Sequence, residues 1–236
     1  MRVCIVIPVY NEEAVLERNV EEILQYAQAL PVSVTLVAVN DGSHDRTPQI
    51  LRGIGARYPA SAFHAISYDR NRGYGGAIRT GASYAMENEH DYIVFMDSDL
   101  TDHPRYLSQF CEKMAEGWDY IKTTRHVPDG GYEAVPWKRR MISSVGCAVA
   151  RRMTGLPLTD LANGFRAIRV DVYRRLNLQE EGFAVIMEEL SQVRKITRRC
   201  CEIPRVQGVR SSVARSSLFS YDVKTLWSYG KYLIRS

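Results

Sequence analysis

The most constraining feature of this 236-residue chain is an apolar run, residues 92–96, that ends in Asp97-Ser98-Asp99. Five consecutive apolar residues predict a strand covered on both faces, as in a parallel sheet between helices. Because side chains alternate along an extended chain, Asp97 and Asp99 are expected to leave the strand on one side. Two such carboxylates repel unless a cation lies between them, and oxygen ligands suit Mg²⁺ or Mn²⁺. The motif predicts a metal-diphosphate site; the alternative is a cap for a helix near His103-Pro104.

Three further strands precede this one, and a polar loop and a helical pattern follow each of them. The strands are expected at residues 2–9, 32–39 and 62–68, and Asn11 is expected to cap the first helix. This alternation predicts an α/β domain with a Rossmann-like, mostly parallel sheet and helices on both faces. Ligands of such sheets bind at the carboxyl ends of the strands. Candidate site residues therefore lie in four loops: Asn11 and Glu12; Asp41, Ser43 and Asp45; Asn71 and Arg72; Asp97 and Asp99.

The third loop, residues 71–77, is rich in glycine but does not fit a dinucleotide-binding motif. Gly73 and Gly75 would require a third glycine at position 78, which is Ile78, and the loop follows the third strand instead of the first. Two interpretations of these glycines remain open. They allow close backbone approach to a phosphate, or they form a tight strand-to-helix turn.

Charge is distributed unevenly along the chain. Residues 1–120 carry 10 Lys and Arg against 17 Asp and Glu, a net charge of −7, and residues 121–236 carry 21 against 10, a net charge of +11, which together give +4. An acidic first half suits the binding of a metal ion and a nucleotide, and a basic second half suits an anionic acceptor or an anionic membrane surface. The alternative is that many of these arginines lie on a solvated surface and bind no partner. The sequence contains no zinc knuckle, helix-turn-helix or RNA-recognition signature, so nucleic acid is not an expected partner.

The cysteines and the N-terminal residues indicate the compartment. The five cysteines are odd in number and show no Cys-x-x-Cys spacing, which argues against a disulfide framework and against a structural zinc site. The first strand is short and contains Pro8, and no window approaches about 18 unbroken apolar residues. We therefore expect no signal peptide, no spanning helix and a cytoplasmic protein with reduced thiols.

Several motifs, in their order and spacing, resemble family-two glycosyltransferases of the GT-A fold. In the first half these are residues 8–12, residues 39–43 with Asp45 and Thr47, Asn71-x-Gly73, and residues 96–100. The second half looks like the dolichyl- and polyprenyl-phosphate sugar synthases at Thr124-Arg125, Gly130-Gly131, Trp137 with Arg139, Asp160 with Gly164-Phe165-Arg166, Gly182-Phe183 with Glu188, and Glu202-Ile203-Pro204. The resemblance spans nearly the whole chain. It assigns residues 1–217 to a catalytic domain, with a nucleotide-sugar half up to about residue 120 and an acceptor half beyond it.

The resemblance implies an inverting, metal-dependent hexosyltransferase that moves a sugar from GDP-mannose or a UDP-sugar to a polyprenyl or dolichyl phosphate. By position, the nucleoside pocket would be lined by Pro8, Tyr10, Asn11, Glu12, Asp41 and Asp97. Asp99 would be the principal ligand of Mg²⁺ or Mn²⁺, Asp97 would face the metal or the ribose, and Thr101 stands where a metal-binding glutamine is usual. The residues that would meet phosphates are Arg125, Arg139 and Arg166, with Arg215 in place of the lysine of a usual Ser-Lys pair.

The nucleophile decides whether the reaction requires a general base. A phosphate monoester, with a second pKa of about 6, presents an anionic oxygen at neutral pH, whereas a sugar hydroxyl must be deprotonated. Because of Glu188 and Glu189, the interpretation that the acceptor is a hydroxyl group stays open: in hydroxyl-accepting relatives a carboxylate in this part of the fold is the general base. The alternatives are that these glutamates position the acceptor or stand at the N-terminus of a helix, where acidic residues are favoured. A third class of function is a non-catalytic nucleotide-sugar or membrane-surface binding module, which the intact Asp97 and Asp99 argue against.

The last segment, residues 218–236, is predicted to form an amphipathic helix. Its apolar residues recur at helical spacing, with tyrosines around them and Lys224, Lys231 and Arg235 on the polar side. This pattern predicts peripheral binding to the cytoplasmic face of a membrane, with the basic segment 137–152 as a second contact. The alternatives are that the helix packs on its own domain, or that it joins a partner subunit that supplies transmembrane helices.

Overall fold

A computed structural model describes residues 1–132, 147–148, 151–152, 155–207 and 231–232. Its strands are β1 (Arg2–Val9), β2 (Ser33–Asn40), β3 (Phe63–Ser67), β4 (Tyr92–Phe95), β5 (Tyr120–Thr124), β6 (Gly131–Tyr132), β7 (Arg166–Arg169), β8 (Cys200–Pro204) and β9 (Val206–Gln207). The helices with described bounds are α1 (Leu16–Gln28), α2 (Thr47–Arg57), α3 (Gly73–Glu87), α4 (Leu107–Ala115), α5 (Val170–Tyr173) and α6 (Val185–Ile196). A 3-10 turn at Pro104–Tyr106 precedes α4.

Seven of these strands form one sheet in the order β3-β2-β1-β4-β7-β5-β8. Strands β1 to β4 are parallel to their neighbours in this group, β7 runs antiparallel to β4 and β5, and β8 is parallel to β5. The prediction of a mostly parallel α/β sheet is therefore confirmed. The chain order of the strands reverses between β1 and β4, and in open sheets of this kind a ligand crevice forms at that point.

Alternate residues of β1 enter hydrophobic cores on opposite faces of the sheet. Cys4 and Val6 pack in the core that contains α3 and α6, whereas Ile5 and Ile7 pack in the core that contains α1, α2 and α4. All four side chains are fully buried. Burial on both faces explains why β1 and β4 have nearly unbroken apolar sequences.

The structure corrects the predicted role of Asn11 as a helix cap. Helix α1 begins only at Leu16, Val15 occupies the N-cap position, and the cap has no side-chain hydrogen bond. The side-chain Oδ1 of Asn11 instead accepts a hydrogen bond of 2.7 Å from the backbone N–H of His44. The N-cap prediction is wrong because the loop after β2 supplies a donor that the local sequence does not reveal.

Two further expectations concern the thiols and the membrane. All five cysteines are free thiols. No helix within the described residues is long and apolar enough to cross a membrane. The predicted domain boundary at residue 217 and the predicted C-terminal helix, apart from Lys231 and Tyr232, lie outside the described residues.

Candidate functional site

A cavity of about 470 Å³ opens at the carboxyl ends of β1, β2 and β4. Its lining residues are Pro8, Val9, Tyr10, Glu12, Asp41, Asn71, Gly73, Tyr74, Asp97, Ser98, Asp99, Gly182 and Phe183. Seven residues named as site candidates from the sequence therefore meet at one place: Pro8, Tyr10, Glu12, Asp41, Asn71, Asp97 and Asp99. Parallel strands bring their carboxyl ends to one edge of the sheet, which is why loops distant in sequence converge here.

The loops after β1 and β2 are joined by hydrogen bonds below the cavity. The Asn11 N–H donates to Ser43 Oγ over 2.8 Å, and the Glu12 N–H donates to Thr47 Oγ1 over 2.9 Å. Asn11 is not among the residues that line the cavity. Its part is to hold the two loops together, so that Tyr10 and Glu12 on either side of it face the cavity.

Asp41 joins the second loop to the third. The backbone N–H of Arg72 donates to Asp41 Oδ1 over 2.6 Å, and Asn71 Nδ2 donates to the Asp41 carbonyl over 3.1 Å. Burial raises the pKa of the Asp41 carboxyl, while backbone N–H groups of Arg72 and Gly73 oppose that rise. Between these contacts Gly42 adopts a φ of 69°, and a Cβ there would lie 2.5 Å from the Asn71 nitrogen. A carboxylate held in this way is suited to accept hydrogen bonds from a ligand.

The two aspartates after β4 line the same cavity, although β4 ends at Phe95 before either of them. Asp99 is only 3% exposed, and its Oδ1 accepts hydrogen bonds from the Thr101 N–H (3.0 Å) and the Thr101 hydroxyl (2.7 Å). The pair does not cap the following turn, because His103 Nδ1 accepts the Arg105 N–H there. Two carboxylates facing one cavity are the donor set that Mg²⁺ and Mn²⁺ prefer, so these residues fit a divalent ion.

One wall of the cavity comes from the second half of the chain. We call residues 179–183 the cavity lip. Phe183 in the lip stacks on Tyr74, with ring centroids 4.7 Å apart and an interplanar angle of 24°. The Gly75 N–H donates to the Glu181 carbonyl over 2.6 Å, and Gly73, with a φ of 76°, approaches the same carbonyl closely. The glycines of the third loop therefore allow close approach of another segment of backbone and a tight turn into α3.

The two glutamates at the start of α6 are both engaged in internal contacts. The Glu188 carboxylate is buried and accepts the backbone N–H groups of Gln179 (2.9 Å) and Glu180 (2.9 Å), which fixes the cavity lip. Glu189 is fully buried and accepts a hydrogen bond of 2.8 Å from the Tyr120 hydroxyl. Neither glutamate is among the residues that line the cavity.

Arg166 is fully buried and forms a bidentate ion pair with Glu189. Its Nε lies 2.5 Å from Glu189 Oε1 and its Nη2 lies 2.7 Å from Glu189 Oε2. The guanidinium also lies over the Phe95 ring, 4.4 Å from the centroid. This arginine was predicted to meet a phosphate, but the structure buries it outside the residues that line the cavity and pairs its charge with an internal carboxylate.

Arg125 makes a similar pair with Asp160. Its Nε and Nη2 lie 2.5 Å and 2.8 Å from the two carboxylate oxygens. Burial alone would raise the pKa of Asp160, but the Arg125 guanidinium holds that pKa well below its usual value. His126, Cys147 and Asp160 also lie within 4.8 Å of one another, but the carboxylate of this group already binds Arg125 through both oxygens. The other two predicted arginines, Arg139 and Arg215, lie outside the described residues.

Sequence reasoning did not include Tyr74 or Phe183 among the site residues. Tyr74 directly follows Gly73 at the start of α3, so its position beside the glycine-rich loop was a usable signal. Phe183 lies near the start of α6, far from Tyr74 in sequence, and no local pattern indicates that the two rings stack.

The chain matches the model of the protein family described as glycosyl transferase family 2 over residues 4–176. It is 31% identical to the undecaprenyl-phosphate mannosyltransferase of Micrococcus luteus, over 86% of this chain and 82% of that protein. It is 29% identical to the dolichol-phosphate mannosyltransferase of Pyrococcus furiosus, over 100% of this chain and 63% of that protein. The chain thus spans less than two thirds of the length of the Pyrococcus relative.

Solved structures with a similar fold include glucosyl-3-phosphoglycerate synthase from Mycobacterium tuberculosis. Its complex with phosphoglyceric acid has a TM-score of 0.69 at 20% identity, over 99% of this chain and 79% of that one. Its complex with Mn²⁺, UDP-glucose and glycerol 3-phosphate has a TM-score of 0.67 at 19% identity, over 99% and 77%. These likenesses confirm the predicted GT-A fold. The family model, which covers most of the sheet and its first four loops, and the identity to the Micrococcus relative show that the chain belongs to glycosyl transferase family 2.

Proposed function

We propose that this glycosyltransferase moves a sugar, with inversion, from a nucleoside diphosphate sugar to a polyprenyl phosphate. The observation that carries the proposal is the cavity in which Asp41, Asp97 and Asp99 converge at the ends of β2 and β4. The named activities of the Micrococcus and Pyrococcus relatives, both mannosyl transfer to a polyprenyl-type phosphate, support the acceptor class. They also favour GDP-mannose as donor over a UDP-sugar.

The donor is proposed to lie along the four loops. Pro8, Tyr10, Glu12 and Asp41 would hold the nucleoside, and Asp97 and Asp99 would hold Mg²⁺ or Mn²⁺. A bound divalent ion neutralises charge that develops on a diphosphate leaving group. Thr101, which donates two hydrogen bonds to Asp99 Oδ1, is proposed to orient that carboxylate. The binding of Mn²⁺ with UDP-glucose in the structural neighbour from Mycobacterium supports a divalent ion for this fold.

The internal contacts of the two glutamates favour a phosphate acceptor over a hydroxyl acceptor. Glu189 neutralises Arg166 in the core, and Glu188 accepts backbone N–H groups of the cavity lip. A hydroxyl acceptor needs a free base near the sugar, and these two candidates are already engaged. A phosphate monoester needs only to be positioned, because its oxygen is anionic at neutral pH. Arg139 and Arg215 remain predicted acceptor contacts.

The protein is proposed to work peripherally at the cytoplasmic face of a membrane, where a polyprenyl phosphate resides. The basic second half, with its net charge of +11, would favour an anionic surface. The protein would reach the membrane either by direct binding of the C-terminal segment or through a transmembrane partner subunit. Sedimentation of the full chain with anionic and neutral liposomes separates the two: binding to anionic liposomes supports direct binding, and its absence supports a partner subunit.

The proposal is tested by offering GDP-mannose, UDP-glucose and other nucleotide sugars to the purified chain, with undecaprenyl phosphate in detergent and Mg²⁺ or Mn²⁺. We expect a lipid-linked sugar phosphate and release of the nucleoside diphosphate, both abolished by EDTA.

The role of Asp99 is tested by substitution. Asp99→Ala should lower turnover by more than about 100-fold, because the loss of a metal ligand costs more than the loss of a residue that only orients one. Asp69→Ala, at an exposed carboxylate after β3, is the matched control and should retain activity. Transfer that persists in EDTA, or that uses only hydroxyl acceptors, would contradict the proposal.

A further inference from the structure

The backbone after Asp99 follows a path that needs support from other parts of the molecule. Leu100 has a φ of 60°, in the left-handed region that residues with a branched side chain rarely adopt. Such conformations persist only where surrounding contacts determine them. Leu100 directly links Asp99 to Thr101, so whatever holds Thr101 in place also holds the turn that presents the Asp99 carboxylate to the cavity.

The contact that holds Thr101 comes from Arg205, just after β8. The Arg205 Nη1 donates to the Thr101 carbonyl over 3.1 Å and also to the carboxylate of Asp102. The side chains of Arg205 and Asp102 are each 3% exposed. Both hydrogen bonds come from the same nitrogen, so a displacement of Arg205 Nη1 affects the contacts to Thr101 and to Asp102 together.

Arg205 itself is fixed by its backbone. Its N–H donates to the Thr124 carbonyl over 2.8 Å, and its carbonyl accepts the Gly131 N–H over 2.9 Å. The next residue, Val206, donates its N–H to the Tyr106 hydroxyl over 2.9 Å. The end of β8 is therefore tied both to the end of β5 and to the turn before α4.

A continuous set of contacts thus runs from Arg205 to Asp99. Arg205 holds the carbonyl of Thr101, and the N–H and hydroxyl of the same threonine hold Asp99 Oδ1. We propose that Arg205 is a positioning residue for the metal-binding carboxylate, acting through Thr101 and Asp102. The inference rests on the metal-binding role proposed above for Asp99. It implies that Arg205, a residue of the acceptor half, raises the affinity of the nucleotide-sugar half for a divalent ion.

Two substitutions test different links of this set. Arg205→Lys keeps the charge next to Asp102 but shortens the side chain, which removes the Nη1 that donates to both oxygens. Thr101→Val removes only the hydroxyl that donates to Asp99 and leaves the ion pair intact. The matched control is Arg169→Lys, because Arg169 also binds a carboxylate (Asp119, 2.9 Å) and a backbone carbonyl (Gly117, 3.2 Å), but beside the opposite end of β4.

The measurement is the dissociation constant for Mn²⁺ alone, from the electron paramagnetic resonance signal of the free ion, with the melting temperature of each metal-free variant recorded in parallel. We expect Arg205→Lys and Thr101→Val each to raise the dissociation constant by about 10-fold or more, as for other residues that orient metal ligands. Arg169→Lys should change it by less than about twofold, even if it lowers the melting temperature.

The outcomes separate this inference from the proposed function. If the wild type binds Mn²⁺, Asp99→Ala abolishes binding, and Arg205→Lys binds like the wild type, only the inference is overturned, whatever the affinity of Thr101→Val. If the wild type binds no Mn²⁺, the proposed metal role of Asp99 fails and the inference fails with it. If Arg205→Lys does not fold, Arg205→Gln takes its place under the same criterion, while Thr101→Val reports only on the contact between Thr101 and Asp99.

Discussion

The two halves of the chain use their charged side chains in different ways. In the first half, Asp41, Asp97 and Asp99 stand at strand ends and line an open cavity. In the second half, Arg125 and Arg166 form bidentate pairs with Asp160 and Glu189, whose side chains are fully buried. An arginine in a motif is therefore not by itself a ligand contact. Its role depends on whether the fold supplies an internal carboxylate within reach.

The energetic consequences of the two arrangements also differ. Removing one partner of a buried ion pair leaves a charge without compensation and typically costs about 3–5 kcal/mol. A cavity carboxylate at a loop edge contributes little to the core, so its loss should affect ligand binding more than folding. Replacing a cavity carboxylate should therefore cost mainly function, whereas replacing one partner of these two buried ion pairs should cost mainly stability.

The largest expected effect on stability is that of Glu189→Gln. The substitution keeps the shape of the side chain but leaves the buried Arg166 guanidinium without its counter-charge. We expect the free energy of unfolding, measured with urea, to fall by about 3–5 kcal/mol. Glu17→Gln is the control, because Glu17 pairs with Arg57 at the surface, where both side chains are about half exposed. Its loss should stay below about 1 kcal/mol. Equal losses in both variants would break the contrast between the halves.

An intermediate effect is expected where the two halves touch, at the cavity lip. A Cβ at Gly75 would lie 2.0 Å from the Glu180 carbonyl oxygen, which belongs to the backbone and cannot rotate away. Gly75→Ala should therefore displace the lip, lower stability by about 1–3 kcal/mol and weaken nucleotide binding, measured by calorimetry. Gly53→Ala is the control, because a Cβ at Gly53 in α2 meets nothing within 4 Å. It should stabilise the protein by about 0.5–1 kcal/mol and leave nucleotide binding unchanged.

The smallest effect concerns Lys122, a fully buried lysine in the second half that donates to the Asn163 carbonyl. Burial, reinforced by Arg166, lowers the pKa of Lys122 to about 7, from about 10.5 in an unfolded chain. Between these values the unfolded chain binds a proton that the folded chain does not, so this lysine adds stability as pH rises through the window. Below about pH 7 its contribution is constant and unfavourable.

The corresponding measurement is the difference in free energy of unfolding between the wild type and Lys122→Met. From pH 7.5 to 8.5 this difference should shift by about 1 kcal/mol in favour of the wild type, since one pKa unit is worth about 1.4 kcal/mol. Arg166 and Asp160 stay charged over this range, because the pKa of the first is raised and that of the second is lowered. A difference that does not vary with pH would show that Lys122 keeps its proton in the folded state.

The sequence by itself determined the parts that depend on local pattern and chain order. The first strand was predicted at its observed bounds, and the next three within a few residues, because apolar runs closed by polar loops are a short-range signal. Five cavity residues, Glu12, Asp41, Asn71, Asp97 and Asp99, were identified because they follow strand ends, and parallel strands must bring those ends together. Pro8 and Tyr10 were added by the family resemblance. The family followed from the order and spacing of these same motifs.

Tertiary structure alone decided which charged groups remain available to a ligand. The pairing of Arg166 with Glu189, the stacking of Tyr74 on Phe183 and the reach of Arg205 to Thr101 all join residues far apart in the chain. No periodicity records such contacts, because each depends on how strands and helices pack after they form. A buried charge must find a counter-charge wherever the fold places one, since leaving it unpaired in a low-dielectric interior is too costly.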